Sequence, residues 1–238
     1  MFNTLLFDLD GTLLDCDMRV FIPKYIEALS HHFSYLIDPE QFSEHLRQST
    51  RVMVLNKEPH LTNEEVFMSH FLERSGLSRD EILPQLSDFY HNAFGDLAVY
   101  SRKTPLARNI IQEAVSRDIQ VVIATNPVFP RTAIMHRLHW ADVADYTYRL
   151  VTSYEIMHFC KPHPEYYEEI LQVLGLSSDD CLMIGNDTRD DLAARHAGIK
   201  TYLVTNFLIE REDNTPQADY TGTLSDLLEF IQKLKFER

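Results

Sequence analysis

Four short apolar runs, at residues 4–7, 119–124, 181–184 and 199–204, lack the in-out alternation of a strand wetted on one face. Near-continuous Leu, Ile and Val is what a strand covered on both faces looks like, so these runs predict a parallel sheet. The stretches between them, 105–117, 129–140, 163–175 and 188–198, carry helical spacing. Strand alternating with helix predicts an α/β fold, a doubly wound Rossmann-like parallel sheet.

Residues 16–97 break that rhythm. "VFIPKYIEALSHHF", "PEQFSEHLRQSTRVMV", "TNEEVFMSHFLERSG" and "SRDEILPQLSDFYHNAF" read as helices with few strand signals between them. The expected organisation is a core of residues 1–15 and 98–238 with a helical cap domain, 16–97, inserted after the first strand. The tail, 206–236, reads as a polar loop, a short edge strand and a final amphipathic helix.

Composition narrows the partners. The chain of 238 residues is 45% hydrophobic, ample for a core, and carries a formal net charge of −14. Such a charge argues against a nucleic-acid partner gripped through a basic surface. It also means that an anionic substrate must be drawn in by a local positive centre. Three cysteines, Cys16, Cys160 and Cys181, show no CxxC spacing and fit reduced thiols in a cytoplasmic protein. No apolar run approaches the roughly 18 residues of a membrane helix, so no membrane partner is expected. Neither GxxxxGK[ST] nor GxGxxG occurs, and the eleven histidines form no HExxH zinc pattern.

The chemistry gathers where the strands end. Asp8 interrupts an apolar run, Asp10 follows, and Gly11 comes next. Residues i and i+2 of an extended segment point the same way, so both acids face one site. Thr125 and Asn126 follow the second run, and Gly185, Asn186 and Asp187 the third, with Asp190 and Asp191 just beyond. Ligands of open α/β sheets bind beyond the carboxyl ends of the strands. Carboxylates crowded there repel, and a hard divalent cation relieves them; Mg²⁺ suits a site with few carboxylates and several waters. Asp8 and Asp187 are its expected side-chain ligands. Asp190 reads as a helix-surface acid.

"DLDGT" (8–12), "VIATN" (122–126), "KPHPEYY" (161–167) and "IGNDTRDD" (184–191) together resemble, in order, the four motifs of the haloacid dehalogenase-like hydrolase superfamily. The resemblance spans the chain, and the helical insertion is similar to the cap of its phosphoglycolate phosphatase-like branch. It implies that Asp8 is the nucleophile of a Mg²⁺-dependent phosphatase acting on a small phosphorylated substrate through an aspartyl-phosphate. Asp10 would be the general acid and base and would offer its backbone carbonyl to the metal. Thr125, Asn126 and Lys161 would hold the phosphoryl group, and Asp191 would orient Lys161 or reach the metal through water. An acid at position 10 sets the chain apart from the dehalogenases, which lack it, and from the ATPases, which carry threonine there. A phosphomutase with the same core chemistry and a non-catalytic binding module are the alternatives. The basic residues of the insertion, Arg19, Lys24, Arg47, Arg51 and Lys57, are further candidates for meeting an anion. No residue pattern names the leaving group or an oligomeric state.

Overall fold

The computed structural model describes residues 2–211 and 217–234. Residues 212–216 of the expected polar loop, and 235–236 at the end of the tail, lie outside the described residues.

Six strands form one parallel sheet: β1 (Thr4–Phe7), β4 (Gln120–Ile123), β5 (Leu150–Val151), β6 (Cys181–Gly185), β7 (Lys200–Val204) and β8 (Tyr220–Gly222). Their order is β5-β4-β1-β6-β7-β8, so β1, buried along its whole length, sits near the middle. Successive side chains of β1 take opposite faces. Leu5 and Phe7 join one buried cluster, whereas Leu6 joins another with Val122, Met183 and Tyr166. Helices accordingly cover both faces. This is the α/β, Rossmann-like architecture read from the sequence.

The helices after residue 103 are α5 (Ala107–Ser116), α6 (Arg131–Trp140), α7 (Pro164–Leu174) and α8 (Leu224–Lys233). The stretch 188–198 departs from expectation, because only a 3₁₀ helix, Leu192–Ala197, forms there. Upstream of it, Asp187 Oδ1 accepts from the N–H of Arg189 and Asp190. An Asx side chain that accepts from the second and third N–H groups after it caps a helical turn.

Between β1 and β4 run α1 (Met18–His32), α2 (Pro39–Leu55), α3 (Asn63–Ser75) and α4 (Arg79–His91), then a 3₁₀ helix, Ala93–Tyr100. Thr62 and Ser78 begin α3 and α4 with capping boxes closed by Glu65 and Glu81. Where this block leaves and rejoins the sheet region, β2 (Leu14–Asp15) pairs antiparallel with β3 (Arg102–Lys103). That ribbon is too short to leave a sequence signal. An aromatic cluster fastens the block further: Phe94 stacks on Trp140 at 5.5 Å and meets Phe21, Tyr25 and Phe129 edge-on. Asn63 and Glu64 donate their backbone N–H groups to Met157 and Tyr154. Among the described residues no helix is long and apolar enough to cross a membrane.

Phe94 is fully buried at the centre of that cluster. Phe94→Ala is expected to lower the unfolding free energy in urea by ~3–5 kcal/mol, the usual cost of an aromatic cavity. A loss below ~1 kcal/mol would show that the cluster repacks and does not hold the block.

Candidate active site

Strand register brings the acids together. Phe7 is level with both Ile123 and Ile184, so β1 and β4 end at the same height and β6 continues only to Gly185. Asp8, Thr125 and Asp187 therefore leave the sheet side by side. Asp8 N–H still bonds to Ile184 O, at 2.9 Å, which fixes its backbone to the neighbouring strand. Leu9 is fully buried, and the acids on either side of it face a cavity of ≈ 210 Å³. Gly11 then turns the chain with φ +86°, where a Cβ would overlap the Asn186 amide.

Lys161 enters from the segment before α7, and its side chain is 1% exposed. Its ammonium donates to Asp8 Oδ1 at 2.9 Å and to Asp191 Oδ1 at 2.7 Å. Asp191 Oδ2 accepts the N–H of Asp187 at 2.9 Å, under Gly185, where a Cβ would strike the Asp191 carboxylate. The Asn126 side-chain oxygen accepts the Lys161 backbone N–H at 3.2 Å, while Tyr166 donates to the Thr125 carbonyl. Thr125 itself is buried against the cavity.

Electrostatics follow from this crowding. Burial pushes the Asp8 carboxyl up to about 7, with Asp191 and Asp10 adding repulsion and Lys161 opposing both. Burial also raises Asp10, against Arg137 and Lys161. Lys161 is held well above its ordinary value: burial lowers it, but Asp191 and Asp8 outweigh that. Asp187 stays below the usual carboxylate range because Arg211 and the N–H groups of Asp190 and Arg189 prevail over its burial. Asp190 lines the same cavity and is raised by burial and by Asp187, so it is not the exposed surface acid expected.

Two cations of the cavity went unremarked in the sequence. Arg137, from α6, donates through Nη1 to Asp10 Oδ2. Arg211 donates to Asp187 Oδ2 at 2.8 and 3.1 Å. The signal for Arg137 was present: Ala133, Ile134 and Leu138 make the buried face of α6, and Arg137 falls on it. Arg211 follows the strands by no periodicity and left no such trace. The basic residues of the insertion lie elsewhere. Arg19 pairs with Asp17, Lys24 with Glu27 and Lys57 with Glu165, and none of the five lines this cavity.

The donor set fits a hard divalent cation. Among the described residues no three His, Cys, Asp or Glu side chains form a metal cage. Asp8 Oδ2, however, has only a 3.5 Å contact from Thr12 and so keeps acceptor capacity. Asp8, the Asp10 carbonyl and Asp187 would supply oxygens only, with water completing the shell, as Mg²⁺ prefers. Arg211 would have to share Asp187 with that ion.

A family model for haloacid dehalogenase-like hydrolases matches residues 2–198. The chain is 28% identical, over 96% of each sequence, to "Pyrophosphatase PpaX" of Anoxybacillus flavithermus. Its fold is similar to that of L-2-haloacid dehalogenase from Xanthobacter autotrophicus, with a TM-score of 0.59 at 16% identity over 99% of this chain and 100% of that one. It is also similar to the HAD-hydrolase YfnB from Bacillus subtilis bound to magnesium, with a TM-score of 0.55 at 20% identity over 97% and 98%.

Because the folded Asp8 carboxyl sits at about 7 rather than 3.8, the native state holds a proton that the unfolded chain releases. Stability is therefore lost as pH rises between those values. Asp8→Asn cannot ionise, so in EDTA it is expected to melt above the wild type at pH 8, with the gap shrinking toward pH 4. A gap independent of pH, measured by thermal denaturation, would contradict the burial effect.

Proposed function

The chain belongs to the haloacid dehalogenase-like hydrolase family, and on that premise we propose that it hydrolyses a small phosphate monoester through an aspartyl-phosphate on Asp8, with Mg²⁺. The observation that carries this reading is the buried Asp8–Lys161–Asp191 chain opening on a cavity shared with Asp10 and Thr125. Mg²⁺ bound by Asp8, Asp187 and the Asp10 carbonyl would neutralise charge on the phosphoryl oxygens.

An Asp8 oxygen bonds to phosphorus, the P–O bond to the alcohol breaks, and the departing oxygen takes a proton from Asp10. Water then gives a proton to Asp10 and attacks phosphorus, and the bond to Asp8 breaks. Lys161 stabilises charge on the group in transfer, a task in which position and charge do most of the work. Asp191 and Asn126 keep Lys161 in place. The Thr125 hydroxyl holds a phosphoryl oxygen.

The helices of residues 16–97 act as a cap, contributing Met18 to the cavity wall. Three buried, unbridged cysteines support a reducing, cytoplasmic setting. Inorganic pyrophosphate is the second candidate substrate. The pyrophosphatase name of its relatives favours it, as does a cavity holding Arg137, Lys161 and Arg211.

The test is phosphate release from monoesters and from pyrophosphate, with Mg²⁺ and with EDTA. Wild type is expected to release phosphate only with metal, and Asp8→Asn to lose nearly all turnover. Activity of Asp8→Asn near wild type would overturn the nucleophile assignment. Silence across the panel would overturn the phosphatase.

A further inference from the structure

We propose that Arg137 is a positioning residue for the proton-transferring acid. It pins one oxygen of Asp10 and leaves the other, Oδ1, to exchange the proton with the leaving alcohol and the attacking water. This inference rests on the phosphatase reading above and assigns a role to a residue outside its motifs.

Arg137 is 1% exposed, which is rare for arginine unless it is paired. Its Nη1 donates to Asp10 Oδ2, and its Nε reaches the Ala133 carbonyl at 3.4 Å. The face of the guanidinium lies 4.4 Å from the centre of the Phe129 ring. Phe129 is itself buried and packs on Tyr25 at 5.1 Å. The guanidinium is therefore immobilised on three sides.

Stability does not explain it. Removing two charges from water is costly, and a well-packed hydrophobe in place of a buried ion pair is often neutral or stabilising. Nor is the pair saturated. Asp10 Oδ1 and Arg137 Nη2 are buried without a hydrogen-bond partner among the described residues. A buried polar atom without a partner is costly, and such atoms gather where a reacting group completes the network.

Geometry then divides the labour within one carboxyl group. With Oδ2 fixed by Arg137, the carboxylate cannot spin, and Oδ1, buried and unpartnered, is held in one orientation on a residue that lines the cavity with Asp8. In the first step the P–O bond to the alcohol breaks, its electron pair stays on the alcohol oxygen, and Oδ1 delivers the proton. In the second, Oδ1 receives a proton from water as that oxygen bonds to phosphorus. No co-reactant beyond substrate and water is needed.

The experiment compares kcat/KM for wild type, Arg137→Met and Arg137→Lys on esters running from an alkyl phosphate to 4-nitrophenyl phosphate. kcat/KM covers only the steps through loss of the alcohol, where a poor leaving group needs the proton and a good one needs it far less. Arg137→Met is expected to lose on the order of 10²-fold or more with the alkyl ester, and at least ~10-fold less with the nitrophenyl ester. Arg137→Lys, which keeps a charge and a donor, is expected to recover part of that selective loss, and it decides the matter if Arg137→Met does not fold. In an Asp10→Asn background the Arg137 change should add no further leaving-group dependence. An equal loss across all esters, or an additive loss in the double variant, would assign Arg137 to the fold alone. A wild type inert toward every ester would overturn the phosphatase reading and this one with it.

Discussion

The ammonium of Lys161 is the group on which the arrangement of the site depends. A parallel sheet whose adjacent strands β4, β1 and β6 end close together brings the acids that follow into a space of ≈ 210 Å³. Left alone, those carboxylates would repel or take up protons. Lys161 lies between Asp8 and Asp191, and Asp191 in turn bonds the backbone of Asp187. One buried cation thus links the ends of β1 and β6 and the segment before α7. Burial alone would tend to neutralise it, and the two carboxylates keep it charged.

The same logic extends outward. Five acids, Asp8, Asp10, Asp187, Asp190 and Asp191, line the cavity against three cations, Arg137, Lys161 and Arg211. Each cation engages a different acid, so the cavity is an ordered set of ion pairs with a residual negative charge. A divalent ion would cancel that charge, easing the approach of an anion to a chain of net charge −14. Buried pairs of this kind contribute little to stability relative to apolar packing. Their presence beyond the carboxyl ends of central strands is the mark of a site rather than of a core.

How much of this was legible in the sequence varies with the range of the interaction. The β1, β4, β6 and β7 runs stood out because strands buried on both faces are uniformly apolar. The starts of α3 and α4 carry Thr62 with Glu65 and Ser78 with Glu81, a capping pattern written in the sequence itself. Asp8 was visible as an acid inside an apolar run. Arg137 is the same kind of signal on α6, a charge on a buried helix face. The β2–β3 ribbon and the Arg211–Asp187 contact join residues 87 and 24 positions apart through no periodicity, and only tertiary structure displays them. The stretch 188–198 forms only a 3₁₀ helix, although Asp187 caps its approach in the manner of a helix start.

The central claim is that Asp8 becomes phosphorylated. Acid quenching during steady turnover, followed by borohydride, reduces an acyl phosphate to an alcohol and so converts that aspartate to homoserine. Peptide mass spectrometry should find homoserine at position 8 and at no other aspartate, and only when substrate was present. Homoserine at another position, or none at all in a preparation turning over substrate, would contradict the account.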